Sequence, residues 1–220
     1  AFPFAAPSVS GSLADASGST EAQARLLLWS VERTIAGLAR LSQEDVDKRC
    51  HVVLPGSPNR GTFGGDGAYG EVKAALDAIL NKWKVEAGWP QGVTLAQAKI
   101  GWVAGTHLMG GNDGLVPAAE KAGIKVWSPE EISAELMDLA SADSREQAAH
   151  APVEKDLTGG LEGFSLKELA AGAETAGAVP HEDIEAPITI AALPNQVQAV
   201  QPGLEEEVGQ VTTDLEDMVV

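Results

Sequence analysis

Between residues 20 and 141 the chain alternates amphipathic helical patterns with short apolar runs, and that rhythm leaves few folds open to it. Leu27, Val31, Ile35 and Leu38 recur at helical spacing and predict a helix over 21–41, with Thr20 and Gln23 as its capping box. Residues 51–54 form a short apolar run bounded by Pro55 and Gly56, the pattern of a buried strand. Leu76, Ile79, Leu80 and Trp83 mark the stripe of a second helix ending near Gly88 and Pro90. Residues 93–103 read as a strand, 113–122 as a short helix stopped by Gly123, and 124–127 as a further short strand. Ser128-Pro129-Glu130-Glu131 then supplies a cap, a proline at the first helical position and a capping-box Glu, with Ile132, Leu136 and Leu139 on the buried face. Helix alternating with strand implies parallel strands covered by helices on both faces. The expected fold class is therefore α/β, a doubly wound parallel sheet.

Charge divides the chain in two. The net charge is −17, which argues against nucleic acid and anionic membranes as partners. Residues 151–220 hold 14 Asp/Glu against 2 Lys/Arg, a net of −12, leaving −5 for the rest. From about Gly159, Ala, Gly, Pro, Glu and Gln dominate. SLKELAAGAE reads as one short helix and 180–212 as a linker or wrapping segment. The closing DLEDMVV reads as the first strand of a further domain. The expected organisation is a catalytic unit over 1–160 and an acidic irregular tail over 161–220. No stretch approaches the length of a membrane span. The opening AFPFAAPSVSGS lacks the charged start and long apolar segment of a signal peptide, and its Ala-Phe-Pro start suggests a piece of a longer chain. A single cysteine, Cys50, suits a reducing cytosol and reads as a small buried hydrophobe.

The chemistry concentrates in residues 51–73, HVVLPGSPNRGTFGGDGAYGEVK. A strand ends at Ser57, a glycine-rich loop follows, and a helix opens with Tyr69-x-x-x-Lys73. The i, i+4 spacing stacks phenol and ammonium on one face. Reducing a carbonyl needs a proton for the developing alkoxide. A phenol, with an ordinary pKa of about 10, is a poor acid near neutrality, and a nearby ammonium lowers it. A serine hydroxyl holds the substrate oxygen beside the phenol. Tyr-x-x-x-Lys alone is a weak signal; Ser57 upstream, on a loop leaving a strand, strengthens it. The bland alternatives are a solvated Lys73 and a Tyr69 at the core edge. Tyr69 is the single tyrosine and sits among glycines, where packing value is low. A phosphate loop is disfavoured, because GTFGGDG lacks the Gly-Lys-Ser/Thr ending and carries an Asp. Ser57 has no G-x-S-x-G elbow for a hydrolase, and no His/Cys cluster suggests a metal. The four histidines read as surface or loop residues, with His107 nearest the site.

SPNRGTFGGDGAYGEVK, then IGWVAGTHLMGGND, then a Ser-Pro-Glu-Glu helix, resembles the ketoreductase domain of type I fatty acid synthases of the fungal and actinobacterial kind. The likeness covers about 1–160, including LLLWSVERTIAGLA and DLTGG, and the ending is similar to the lead-in to a ketosynthase. It implies the C-terminal part of a Rossmann-like short-chain dehydrogenase/reductase fold and NADPH-dependent reduction of 3-oxoacyl chains. The implied partners are an acyl carrier protein with its phosphopantetheine-bound chain, the downstream ketosynthase and other domains of a large cytoplasmic oligomer. By position the resemblance makes Tyr69 the proton donor, Ser57 the orienting group, and Lys73 the residue that lowers the phenol pKa and holds the ribose. Ile100, Gly101 and Trp102 resemble the turn over the nicotinamide, and Thr106 falls where a carboxamide or phosphate contact is made. The family pattern carries Arg where Ala104 stands and Gly where His107 stands. The glycine-rich nucleotide loop would lie upstream of Ala1, so residues 1–220 alone are expected not to turn over. The alternative reading is a scaffolding segment of the synthase without turnover of its own.

Overall fold

The computed structural model describes residues 1–7, 9–16, 18–43, 49–106, 114–162 and 164. Helix α1 (Gly18–Ala24) runs through a π-helical turn (Arg25–Trp29) into α2 (Ser30–Gln43). There follow β1 (Cys50–Gly56), α3 (Tyr69–Val85), the single turn α4 (Trp89–Gly92) and β2 (Val93–Ile100). Helices α5 (Val116–Lys121), α6 (Pro129–Leu139) and α7 (Ala142–Ala148) lead to β3 (Val153–Leu157). The strands are all parallel, in the order β1-β2-β3.

The sheet is covered on both faces, as the alternation predicts. Val52 and Leu54 of β1 and Val93 and Leu95 of β2 face Val31, Ile35 and Ala39 of α2 and the α3 stripe Leu76, Ile79, Leu80 and Trp83. The intervening Val53, Ala96 and Ala98 face Ile132 and Leu139 of α6. Burial on alternate residues of one strand in two different layers is what a strand inside a doubly wound sheet requires. The other edge of β1 is met by Ala1, whose ammonium donates to the His51 carbonyl at 2.6 Å and whose carbonyl accepts from the Val53 N–H at 2.9 Å.

Several elements differ from expectation. The first helix begins at Gly18, so Thr20 lies inside it rather than at its N-cap. Gln23 is instead buried, its Oε1 accepting from the Ala68 N–H at 2.8 Å. Residues 124–127 form no strand. Lys125 N–H reaches Gly159 O at 2.7 Å while Trp127 bridges Val103, so the segment is shared between two neighbours at different residues and builds no ladder. The third strand is β3, where Lys155 occupies an inward position. Its aliphatic stem continues the apolar side and its ammonium pairs with Glu135 at 2.6 Å and Asp138 at 2.7 Å on α6. His51 is not a surface residue: its ring lies between Thr94 Oγ1 (2.7 Å) and the Leu139 carbonyl (2.9 Å). The carbonyl must accept from Nε2–H, so Nδ1 accepts from the threonine hydroxyl. The α6 capping box forms as predicted, between Ser128 and Glu131.

Packing continues past residue 160: Leu161 is buried with Trp102, Ala119 and Ile124. The expected helix SLKELAAGAE, the linker 180–212, the DLEDMVV strand and His107 lie outside the described residues.

Candidate active site

Ligands of open α/β sheets bind beyond the carboxyl ends of the strands, and Ser57 follows directly on the end of β1. Gly56 is required there, because a Cβ would lie 2.9 Å from the Ala98 carbonyl of β2. The chain then makes a tight loop before α3. Gly67 has φ +60°, and a Cβ would meet Gln23 Oε1 at 2.7 Å and the Ser10 carbonyl at 2.8 Å. The residues ahead of α1 thereby clamp the loop's end, with Gly67 N–H donating to the Gly11 carbonyl at 2.9 Å.

Tyr69 opens α3 and Lys73 stands one turn on, both buried. The Ser57 hydroxyl lines the same cavity as the Tyr69 phenol and pulls its pKa down. Lys73 Nζ lies 5.3 Å from the centroid of the Tyr69 ring and donates to the Pro55 carbonyl at 2.7 Å. Ser57, Tyr69 and Lys73 thus line one open cavity of about 270 Å³, joined there by Asn59, Ile100, Gly101 and Thr106. Phe4, Val103, Ile132, Leu136 and Leu161 form its apolar side. Thr106 Oγ1 is engaged with the Val103 carbonyl at 3.0 Å.

Trp102 departs from this set. Its side chain is fully buried in the cluster with Ala119, Ile124 and Leu161, away from the cavity, because alternation past β2 turns it to the opposite side from Gly101. Gly101 in turn is a packing necessity: a Cβ would stand 2.1 Å from the Thr158 carbonyl.

The electrostatics also differ from expectation. Burial, joined by the Asp66 carboxylate, raises the Tyr69 pKa, while the Ser57 hydroxyl works downward. The Lys73 ammonium, turned onto a carbonyl, is not what moves the phenol. Burial pulls Lys73 itself down to about 8. Tyr69 is therefore a phenol that holds its proton near neutrality, and Lys73 a cation close to losing its own.

Asn59 and Asp66 are buried polar residues of the site region that the sequence motifs do not single out, and Gln23, read as part of a cap, is buried beside them. Two of them carry a local signal. An Asn after a Pro favours a self-bonded turn, and an Asp shortly before a helix satisfies its first N–H groups. No group of His, Cys, Asp and Glu able to hold a metal occurs among the described residues. Among them, too, no helix is long and apolar enough to cross a membrane.

A parallel sheet covered by helices on both faces is a fold this chain shares with solved short-chain dehydrogenase structures. The structure superposes on a short chain dehydrogenase from Bacillus anthracis with a TM-score of 0.56 at 15% identity, covering 74% of this chain and 64% of that one. It superposes equally on a 4-hydroxyisoleucine dehydrogenase complexed with NADH and succinate, at TM-score 0.56 and 17% identity over 72% of this chain and 67% of that one. The chain itself is homologous to one segment of the fungal fatty acid synthase alpha subunits. It is 36% identical over 173 residues to fatty acid synthase subunit alpha of Saccharomyces cerevisiae, and 34% identical over 172 residues to that of Schizosaccharomyces pombe. These alignments take in 77% and 76% of this chain but 9% of each relative, so the chain spans about a tenth of their length. No family model matches it.

Proposed function

We propose that this segment carries the catalytic residues of a 3-oxoacyl reductase within a fatty acid synthase, using NADPH to give the 3-hydroxyacyl thioester. The observation that carries the reading is the convergence of Ser57, Tyr69 and Lys73 on one cavity at the strand ends. The residues fit the nicotinamide-ribose end of such a cofactor. Lys73 reaches the cavity with an ammonium that makes one hydrogen bond, to Pro55, of the three it can donate, leaving donors for ribose hydroxyls. When bound, the cofactor supplies the hydride. Ser57 holds the substrate oxygen by a hydrogen bond, and Tyr69 Oη delivers the proton to that oxygen as its negative charge develops. The raised pKa of Tyr69 keeps this proton in place near neutrality. The apolar side formed by Val103, Ile132 and Leu136 suits an acyl chain presented by a carrier domain.

The test is Tyr69→Phe in the synthase polypeptide that carries this segment. NADPH-dependent reduction of a 3-oxoacyl thioester falls by about 10²–10⁴-fold, the usual worth of a general acid, while NADPH binding followed by fluorescence persists. A near wild-type rate would remove Tyr69 as donor. A parent polypeptide that fails to bind NADPH would favour the scaffolding reading.

A further inference from the structure

The loop between β1 and α3 is built around a buried acid that the chemistry above leaves unused. Asp66 is 6% exposed and Asn59 is 1% exposed. Asp66 Oδ2 accepts from Asn59 Nδ2 at 2.8 Å and from the Gly70 N–H, in the first turn of α3, at 3.0 Å. The other end of the Asn59 carboxamide is fixed as well. Its Oδ1 accepts from the Gly61 N–H at 2.9 Å, which sets which end is oxygen. The Asn59 backbone N–H donates to Ser57 Oγ at 3.1 Å, and Ser57 lines the cavity beside the Tyr69 phenol. Asn59 thus joins the two ends, its carboxamide on the Asp66 carboxylate and its backbone N–H on the serine that shares the cavity with the phenol.

We propose that Asp66 is a positioning residue of this site, holding the Ser57 hydroxyl beside the Tyr69 phenol through Asn59 and setting the charge that the phenol faces; its catalytic meaning rests on Tyr69 being the proton donor. A carboxylate suits the place because one oxygen must take two N–H donors, one of them at the positive end of a 17-residue helix. Few other charges bear on the phenol. Lys73 faces it from α3, with its ammonium on Pro55. The residues packed on Tyr69 from the N-terminal segment and the π turn, Val9, Leu27 and Leu28, are apolar. Glu21 and Arg25 of that same helix are exposed and paired with each other at 2.7 Å. The carboxylate disfavours the phenolate and the Ser57 hydroxyl favours it, so the two arms of the network act on Tyr69 in opposite directions.

That opposition is the test. Tyr69 is the single tyrosine of the chain, so its ionisation is read directly from tyrosinate ultraviolet absorbance after stopped-flow pH jumps, before alkaline unfolding sets in. Asp66→Asn keeps an oxygen for both N–H donors and removes the charge, and the midpoint moves to lower pH. Asn59→Ala unties this residue from Asp66, so its backbone N–H no longer fixes Ser57, the hydroxyl's support of the phenolate is lost, and the midpoint moves to higher pH. In a Ser57→Ala background the same Asn59→Ala change moves nothing. A merely structural loosening admits water and moves both variants down towards an ordinary phenol. A midpoint that Asn59→Ala lowers, or shifts equally with and without Ser57, overturns the proposal; so does one that Asp66→Asn leaves in place. Circular dichroism checks folding, and Asn59→Ser, which keeps a turn-forming residue too short to reach Asp66, replaces the alanine variant if that one unfolds. The readout is ionisation rather than turnover, so it stands or falls separately from the reductase reading.

Discussion

Replacing Lys73 with methionine isolates what burying an ammonium costs this fold. Lys73 is 4% exposed, and burial pulls its pKa from 10.5 down to about 8. At about 1.4 kcal/mol per unit, the charged native form is disfavoured by about 3 kcal/mol relative to the unfolded chain. The sign follows from the protons bound. Below pH 8 the lysine is charged in both states and the full penalty is present. Between about 8 and 10.5 the native state has released its proton while the unfolded chain keeps it, so stability rises with pH across that window. Above it both states are neutral and the penalty is gone. Methionine fills similar space without charge but abandons the Pro55 carbonyl, bonded at 2.7 Å, leaving a buried acceptor at a cost of about 1 kcal/mol. The variant is therefore about 2 kcal/mol more stable than the parent at pH 7, and its advantage disappears towards pH 10. Urea unfolding followed by tryptophan fluorescence at the two pH values measures both numbers. A methionine variant less stable at pH 7, or a difference that does not change with pH, would refute the reasoning. A stabilising loss of this kind is expected of a residue kept for chemistry rather than for folding.

Three further outcomes are expected. Reduction by the synthase polypeptide declines as pH rises through about 8, where Lys73 loses its charge, rather than at the higher pH of the Tyr69 phenol; a rate that holds well above pH 8 would show that the ammonium is not needed. Gly101→Ala destabilises the chain by about 3 kcal/mol, the upper range for overpacking, because its Cβ would stand 2.1 Å from the Thr158 carbonyl; an unchanged melting temperature would contradict the close approach of the β2 and β3 ends. Burial holds the His51 pKa below 6.5, so the native state resists a proton that the unfolded chain takes and stability falls as pH drops below that value; His51→Gln flattens this acid limb in thermal melts between pH 7 and pH 5, and a limb as steep as the parent's would assign it elsewhere.

The local patterns carried the fold class a long way. The stripes Val31–Ile35 and Leu76–Leu80 packed where their spacing put them, and the Ser128-Pro129 start became a capped helix, because periodicity and caps act within one or two turns. Strand identity was less legible. Residues 124–127 look like a strand and make only a bridge, whereas β3 carries Lys155 inward because α6 supplies two carboxylates for it, a fact of another element.

The site divides the same way. By itself the sequence determined that Tyr69 and Lys73 share one helical face and that Ser57 leaves a strand end beside them, since both follow from neighbours in the chain. The tertiary structure decided what those groups experience. It turned Lys73 onto Pro55 and Trp102 into the core, and it brought Asp66 and Asn59 into the site. Burial and charge depend on everything that surrounds a side chain, and most of what surrounds Tyr69 lies far from it in sequence. A spacing rule can therefore place a phenol beside an ammonium, but only the packed fold decides which of them keeps its proton.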